Sequence, residues 1–243
     1  MHDAAHAGAD GPDPAVPALM PAPEVPATAR PRWTRRQLRV AVGVPVVCLL
    51  LVLALRLWLA WVGPIVGDRW ALTRHDYGGS QAAWLLDLGN VFQVIGTAVP
   101  AVLTIAWAAV FVAREEGRRG VLFLGAAALG VVFNAVLKDL SGPTPLMAQR
   151  APGGLNYPSG HVVYATVVFG ALAWMAWRRR RVDIVAALVF LIVCMGPFRV
   201  TLGAHFPSDV VAAYLVGVAW LVPVAILTGY SGSRAPARPA RPA

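Results

Sequence analysis

Residues Ile184–Tyr230 read IVAALVFLIVCMGPFRVTLGAHFPSDVVAAYLVGVAWLVPVAILTGY, two apolar runs joined by a short polar island. The charged side chains of this stretch are Arg199 and Asp209, and the island between them adds one histidine, His205. The runs, about Ile184–Leu202 and Val210–Tyr230, each approach the ~20 apolar residues with which a helix crosses roughly 30 Å of hydrocarbon. Ionisable groups are costly at that depth, so the three in the island are functional candidates from the outset.

Four more apolar stretches lie upstream, at about Val40–Val62, Leu88–Ala113, Val121–Leu137 and His161–Trp177. Hydrophobic residues make up 58% of the chain and charged residues 14%, against about 25% charged in soluble domains. The expected fold is therefore all-α, a six-span transmembrane bundle occupying 37–230. Residues 1–36, rich in Ala, Pro and Gly, read as a disordered tail. The basic segment 231–243 reads the same way. The first apolar run is too long for the core of a secretion signal.

The formal charge of +9 could point to nucleic acid, but the cations cluster between spans. Arg35, Arg36 and Arg39 precede the first span, and Arg114, Arg118 and Arg119 follow the second. Arg178–Arg181 follow the fourth, and Arg234, Arg238 and Arg241 follow the sixth. All four groups fall on one side of a six-span bundle, so that side and both termini are expected to be cytoplasmic. The loops at 63–87, 138–160 and 203–209 then face outward, and Lys138, His161, Arg199, His205 and Asp209 converge at one membrane boundary. Cys48 and Cys194 sit inside apolar runs and read as inert buried thiols, with no metal spacing around them.

His205 and Asp209 are four residues apart, on one face of a helix beginning near Phe206, with Pro207 suited to its first turn. An Asp209 carboxylate bonded to one ring nitrogen of His205 would leave the other free to attack. Arg199 offers a planar fork for phosphate oxygens. A second island reads Tyr157-Pro158-Ser159-Gly160-His161. There a helix start, a glycine and the Ser159 hydroxyl favour an anion, and His161 can move a proton. Taken singly, each group also fits a turn, a cap or a snorkelling charge. Asn134, inside the third span, reads as an interhelical hydrogen-bonding residue.

Together, the two islands resemble the type 2 phosphatidic acid phosphatase family. Pro158-Ser159-Gly160-His161 matches one family motif in full, and Arg199, His205 and Asp209 match another at the family's spacing; the resemblance covers roughly Val121–Tyr230. It implies a metal-independent phosphatase without cofactor, acting on a phosphomonoester or diphosphate of a membrane lipid at the extracytoplasmic face of the cell membrane. It implies His205 as nucleophile, Asp209 as its orienting partner and His161 as acid and base. Lys138, Ser159, Gly160 and Arg199 would hold the phosphoryl oxygens. Phosphatidic acid, phosphatidylglycerophosphate, undecaprenyl diphosphate and other polyprenyl phosphates all fit as substrates.

Two departures stand out. Phe198 precedes Arg199 where the family has serine. The first family motif, a lysine followed by Arg-Pro, begins with Lys138, but Ser141–Leu146 contains no arginine. Arg150 is the nearest basic residue downstream and the candidate replacement. The same gap leaves open a non-catalytic protein that binds or carries a phosphorylated lipid on the same fold. A soluble vanadate haloperoxidase, which shares a related pocket, is disfavoured by the six spans.

Overall fold

The computed structural model describes residues 33–76, 83–142, 144–146 and 157–230, and the regular elements among them are all helical. Helix α1 runs Arg35–Trp61. Thr34 starts it with a reciprocal cap: its Oγ1 accepts the Gln37 N–H at 3.1 Å, and Gln37 Oε1 accepts the Thr34 N–H at 2.8 Å. Its buried residues, Ala41, Cys48, Val52 and Leu59, recur at helical spacing as one stripe. That stripe packs along α7 (Pro207–Leu227), and most of the remaining apolar side chains point outward, as a lipid-facing surface requires.

The stretch read as an outer loop at 63–87 is largely helical. Helix α2 (Val66–Asp76) begins just after Pro64, and Asp68 in its first turn accepts the Ile65 N–H at 3.4 Å. Helix α3 (Ala83–Ile95) then takes the first part of the expected second span. That span is not one helix, because α4 (Ala98–Ser141) starts afresh after Gly96 and an extended Thr97. Pro100 accounts for the restart. Its ring and missing N–H suit a first turn but would break a continuous helix at this position.

Helix α4 has 44 residues and contains one non-helical position, Gly117, at φ 66° and ψ −160°. Glycine alone adopts that conformation without a steric penalty. The loop expected between the second and third spans is thus reduced to a single residue. Beside it, Arg179 binds Glu115 at 2.7 Å and Glu116 at 2.6 Å, and Tyr230 donates to Glu116 at 3.2 Å.

Helix α5 (Gly160–Arg178), which has a π-helical middle at Ala165–Phe169, is followed by α6 (Val182–Thr201) and then α7. Among the described residues, α1, α4, α5, α6 and α7 are long and apolar enough to cross a membrane. Helix α5 is the core element: Val162, Val163, Ala165, Val167 and Val168 have no exposed surface. Close packing on α7 depends on Gly217, where a Cβ would collide with Thr166. The Arg179 cluster and the Ser159–His161 island lie at opposite ends of α5. The expected tails lie outside the described residues, apart from Trp33–Arg36, of which Arg35 and Arg36 already belong to α1.

Candidate functional site

The turn after α6 is wound tightly enough to fold His205 back over Arg199. Leu202 N–H donates to Phe198 O at 3.0 Å and Gly203 N–H to Val200 O at 2.9 Å. Gly203 has a φ of 67°, and the Ala204 and His205 N–H groups both return to the carbonyl of Arg199, at 3.0 and 3.2 Å. Helix α7 then begins at Pro207, and Asp209 in its first turn points its carboxylate backward. Asp209 Oδ2 accepts the Phe206 N–H at 3.0 Å and lies 3.3 Å from His205 Nδ1. A carboxylate only accepts, so Nδ1 carries the proton and the lone pair sits on Nε2. Both side chains are buried. Burial pushes the His205 pKa below the ordinary histidine value, the Asp209 contact opposes this, and Arg199 and Lys138 add to the downward push. The ring is therefore neutral at neutral pH.

The other island docks on this turn through main-chain atoms. Ser159 N–H donates to the carbonyl of Asp209 at 3.3 Å, setting the start of α5 against the first turn of α7. His161 Nε2 donates to the carbonyl of Gln93 at 3.1 Å, so the neutral ring keeps its lone pair on Nδ1. Arg199 Nη1 donates to Gln93 Oε1, also at 3.1 Å. Lys138 Nζ and Asn134 Nδ2 border Gly160, each under 4 Å from where a Cβ would stand. Arg199, His205 and Lys138 all lie within electrostatic range of His161. Among the described residues, Ser159 Oγ and Arg199 Nε are buried donors without a hydrogen-bond partner. Buried donors of this kind call for an acceptor, and an anion supplies several.

Residues 119–233 match a family model described as the PAP2 superfamily. Over that segment the chain is similar to the PAP2 superfamily. Comparisons with curated proteins and with solved structures give no significant match. The PAP2 segment holds the second arm of α4 and all of α5, α6 and α7, and with them Lys138, Ser159, Gly160, His161, Arg199, His205 and Asp209. Helices α1, α2 and α3 precede it.

These three preceding helices nevertheless reach the site. Phe198, the first departure from the family pattern, stacks on Phe92 of α3 with ring centroids 4.6 Å apart. Arg56 of α1 donates to the carbonyl of Ser141 at 3.1 Å, bracing the chain just beyond Lys138. Arg150, the candidate replacement for the absent arginine, lies outside the described residues. Gln93 escaped sequence reading because a lone polar residue in an apolar run carries no motif. Gly96 escaped for a related reason: a Cβ there would run into the His161 imidazole, a constraint visible only in three dimensions. Asn134, expected to bond between helices, keeps a buried Oδ1 without a partner among the described residues while its amide nitrogen borders Gly160.

Asp68 is the third residue missed. It is fully buried, and its Oδ1 accepts the Ser208 N–H at 2.9 Å, holding the first turn of α7 from outside the PAP2 segment. Burial raises its pKa, the Ser208 N–H bond pulls it back, and the nearby Asp209 charge raises it further. Its signal in the sequence was faint, one of three carboxylates between two apolar runs. Asp68→Ala leaves the buried Ser208 N–H without an acceptor, at an expected cost of about 1–3 kcal/mol. Thermal unfolding of the purified protein in detergent checks this, and an unchanged midpoint would show that the bond contributes nothing.

An apolar cleft of about 850 Å³ adjoins the site between α2, α3, α6 and α7. Trp70, Leu85, Val193, Pro197, Val210 and Tyr214 line it, and none of the polar site residues does.

Proposed function

We propose that this protein is an integral-membrane phosphatase that hydrolyses a phosphomonoester or diphosphate of a membrane lipid through a phosphohistidine. The carrying observation is a buried His205–Asp209 pair whose Nε2 has no hydrogen-bond partner among the described residues, set beside the buried donors Ser159 Oγ and Arg199 Nε, which have none there either. His205 Nε2 attacks phosphorus, and the bond to the lipid oxygen breaks. His161, once the negative phosphoryl group of the bound substrate has drawn a proton from solvent onto Nδ1, delivers that proton to the leaving oxygen, because its Nε2–H is held by Gln93. Water then attacks the phosphohistidine, His161 Nδ1 takes the water proton, and the N–P bond breaks to release phosphate and restore His205. Lys138, Ser159, the Gly160 amide and Arg199 neutralise the phosphoryl oxygens, whose charge dominates such a transition state. No metal or cofactor takes part in this route, and Arg150 is a further candidate phosphate ligand.

In this reading α4 crosses the membrane twice about Gly117. Its 44 residues amount to about 66 Å of helix, roughly two hydrocarbon thicknesses. That makes six crossings with both termini cytoplasmic. Arg118, Arg119 and Arg178–Arg181 flank the Arg179–Glu115–Glu116 contacts at the end of α5 away from His161, which by the positive-inside rule supports a site on the extracytoplasmic face. The membrane domain spans 37–230, and the segments on either side are tails. A site at the bilayer edge can take a head group while its chains stay in lipid, and the apolar cleft flanking α6 and α7 is consistent with such a substrate.

A panel of phosphatidic acid, phosphatidylglycerophosphate and undecaprenyl diphosphate in detergent tests the proposal by phosphate release. Background release from all three sinks it. Retained binding without release supports the non-catalytic alternative, which the missing first-motif arginine favours. The low His205 pKa sets the acid side of the pH profile. Only the neutral ring attacks, so kcat/KM should hold as pH falls through the ordinary histidine range near 6.5 and drop below it. An acid limb centred above 6.5 would contradict a buried neutral His205 as nucleophile.

A further inference from the structure

We propose that Gln93 of α3 is a phosphate-binding residue of this site, donating a side-chain amide N–H to a phosphoryl oxygen while its Oε1 holds Arg199. The proposal takes the phosphate ligand from the functional reading above and adds a residue outside the PAP2 segment to it.

The orientation of the amide follows from its partner. A guanidinium only donates, so the Gln93 atom 3.1 Å from Arg199 Nη1 must be the oxygen. The amide is planar, so its NH₂ group is held at the same end of the side chain, beside the guanidinium. No hydrogen bond from that NH₂ to the protein occurs among the described residues, and the Gln93 side chain is exposed. The main-chain carbonyl of the same residue holds His161 at 3.1 Å. Gln93 therefore stands between Arg199 and His161, a phosphate-holding group and a proton-transfer group, with two spare protons.

Packing fixes this register. Phe92, the preceding residue, is buried and stacks on Phe198, the residue preceding Arg199, so α3 and α6 are keyed together one position from the polar contact. The two departures from the family pattern thereby meet at α3. Phe198 provides the stacking surface, and Gln93 contributes a donor where Ser141–Leu146 contains no arginine. A neutral amide adds that donor without placing a third cation against Lys138 and Arg199.

Gln93→Glu separates binding from positioning. The carboxylate keeps the acceptor for Arg199, so a purely positioning role survives it. It has no proton to give and repels a phosphoryl oxygen, so a binding role does not survive. The measurements are KM and kcat for phosphate release from a short-chain phosphatidic acid and equilibrium binding of inorganic phosphate, on the full chain in detergent. We expect Gln93→Glu to raise KM and weaken phosphate binding by about tenfold or more, the loss of a charge-assisted hydrogen bond. Gln93→Ala should fall between it and wild type, with thermal unfolding unchanged in both. Phosphate affinity and KM within twofold of wild type in Gln93→Glu overturn the proposal. So do equal losses in both variants accompanied by lowered thermal stability. Wild type that binds phosphate without releasing it, and loses that binding in Gln93→Glu, supports this site while removing the hydrolase reading. Wild type that binds no phosphate overturns both.

Discussion

His205→Ala should reduce phosphate release to the level of the lipid alone. Removing a covalent nucleophile from a triad-like unit costs on the order of 10⁶-fold in kcat, and nothing else in this pocket replaces it. His161 cannot take over the attack without abandoning the proton transfer, and its Nε2 is already committed to the Gln93 carbonyl. The same variant should lose the acid-labile phosphoprotein that forms when wild type is quenched during turnover with labelled substrate. Phosphoprotein persisting in His205→Ala would assign the nucleophile elsewhere.

Asp209→Asn comes next in size, on the order of 10⁴-fold, by analogy with orienting carboxylates elsewhere. Its effect follows from the two bonds that Oδ2 makes. An asparagine can still accept the Phe206 N–H through its oxygen, so the cap of α7 survives. The same oxygen keeps the His205 Nδ1–H bond, and the amide nitrogen falls at the Oδ1 position, which has no hydrogen-bond partner among the described residues. What is lost is the negative charge that stabilises the cation developing on His205 as it attacks, while the fold is kept. Near-wild-type thermal unfolding with collapsed kcat is the expected pattern. Activity within tenfold of wild type would mean that the Asp209 charge contributes little to the attack.

Most of the helical architecture was legible because lipid imposes a simple demand, an apolar run of fixed length. Runs ending at Val62, Trp177, Leu202 and Tyr230 correspond to helices α1, α5, α6 and α7 within a few residues. Hydropathy could not locate the break at Gly96 and Thr97, since both neighbouring segments are equally apolar. Pro100 was the local signal there. Nor could it foresee that α4 would bend at Gly117 without a loop, or that α2 would form in a polar stretch. In the site, both islands carried motif-like clusters, and their convergence followed from spans and sidedness. Gln93, Gly96 and Asp68 act through one carbonyl, one missing methyl group and one main-chain N–H. Such contacts depend on which helices end up as neighbours, so they had no local signature.

The link from Ser159 N–H to the Asp209 carbonyl joins the two islands through backbone atoms. Exchanging either side chain leaves that joint in place. An inactivated variant should consequently present an undistorted mouth to its lipid and hold it without turnover. Loss-of-function substitutions here are thus suitable traps for capturing the natural lipid by co-purification and mass spectrometry.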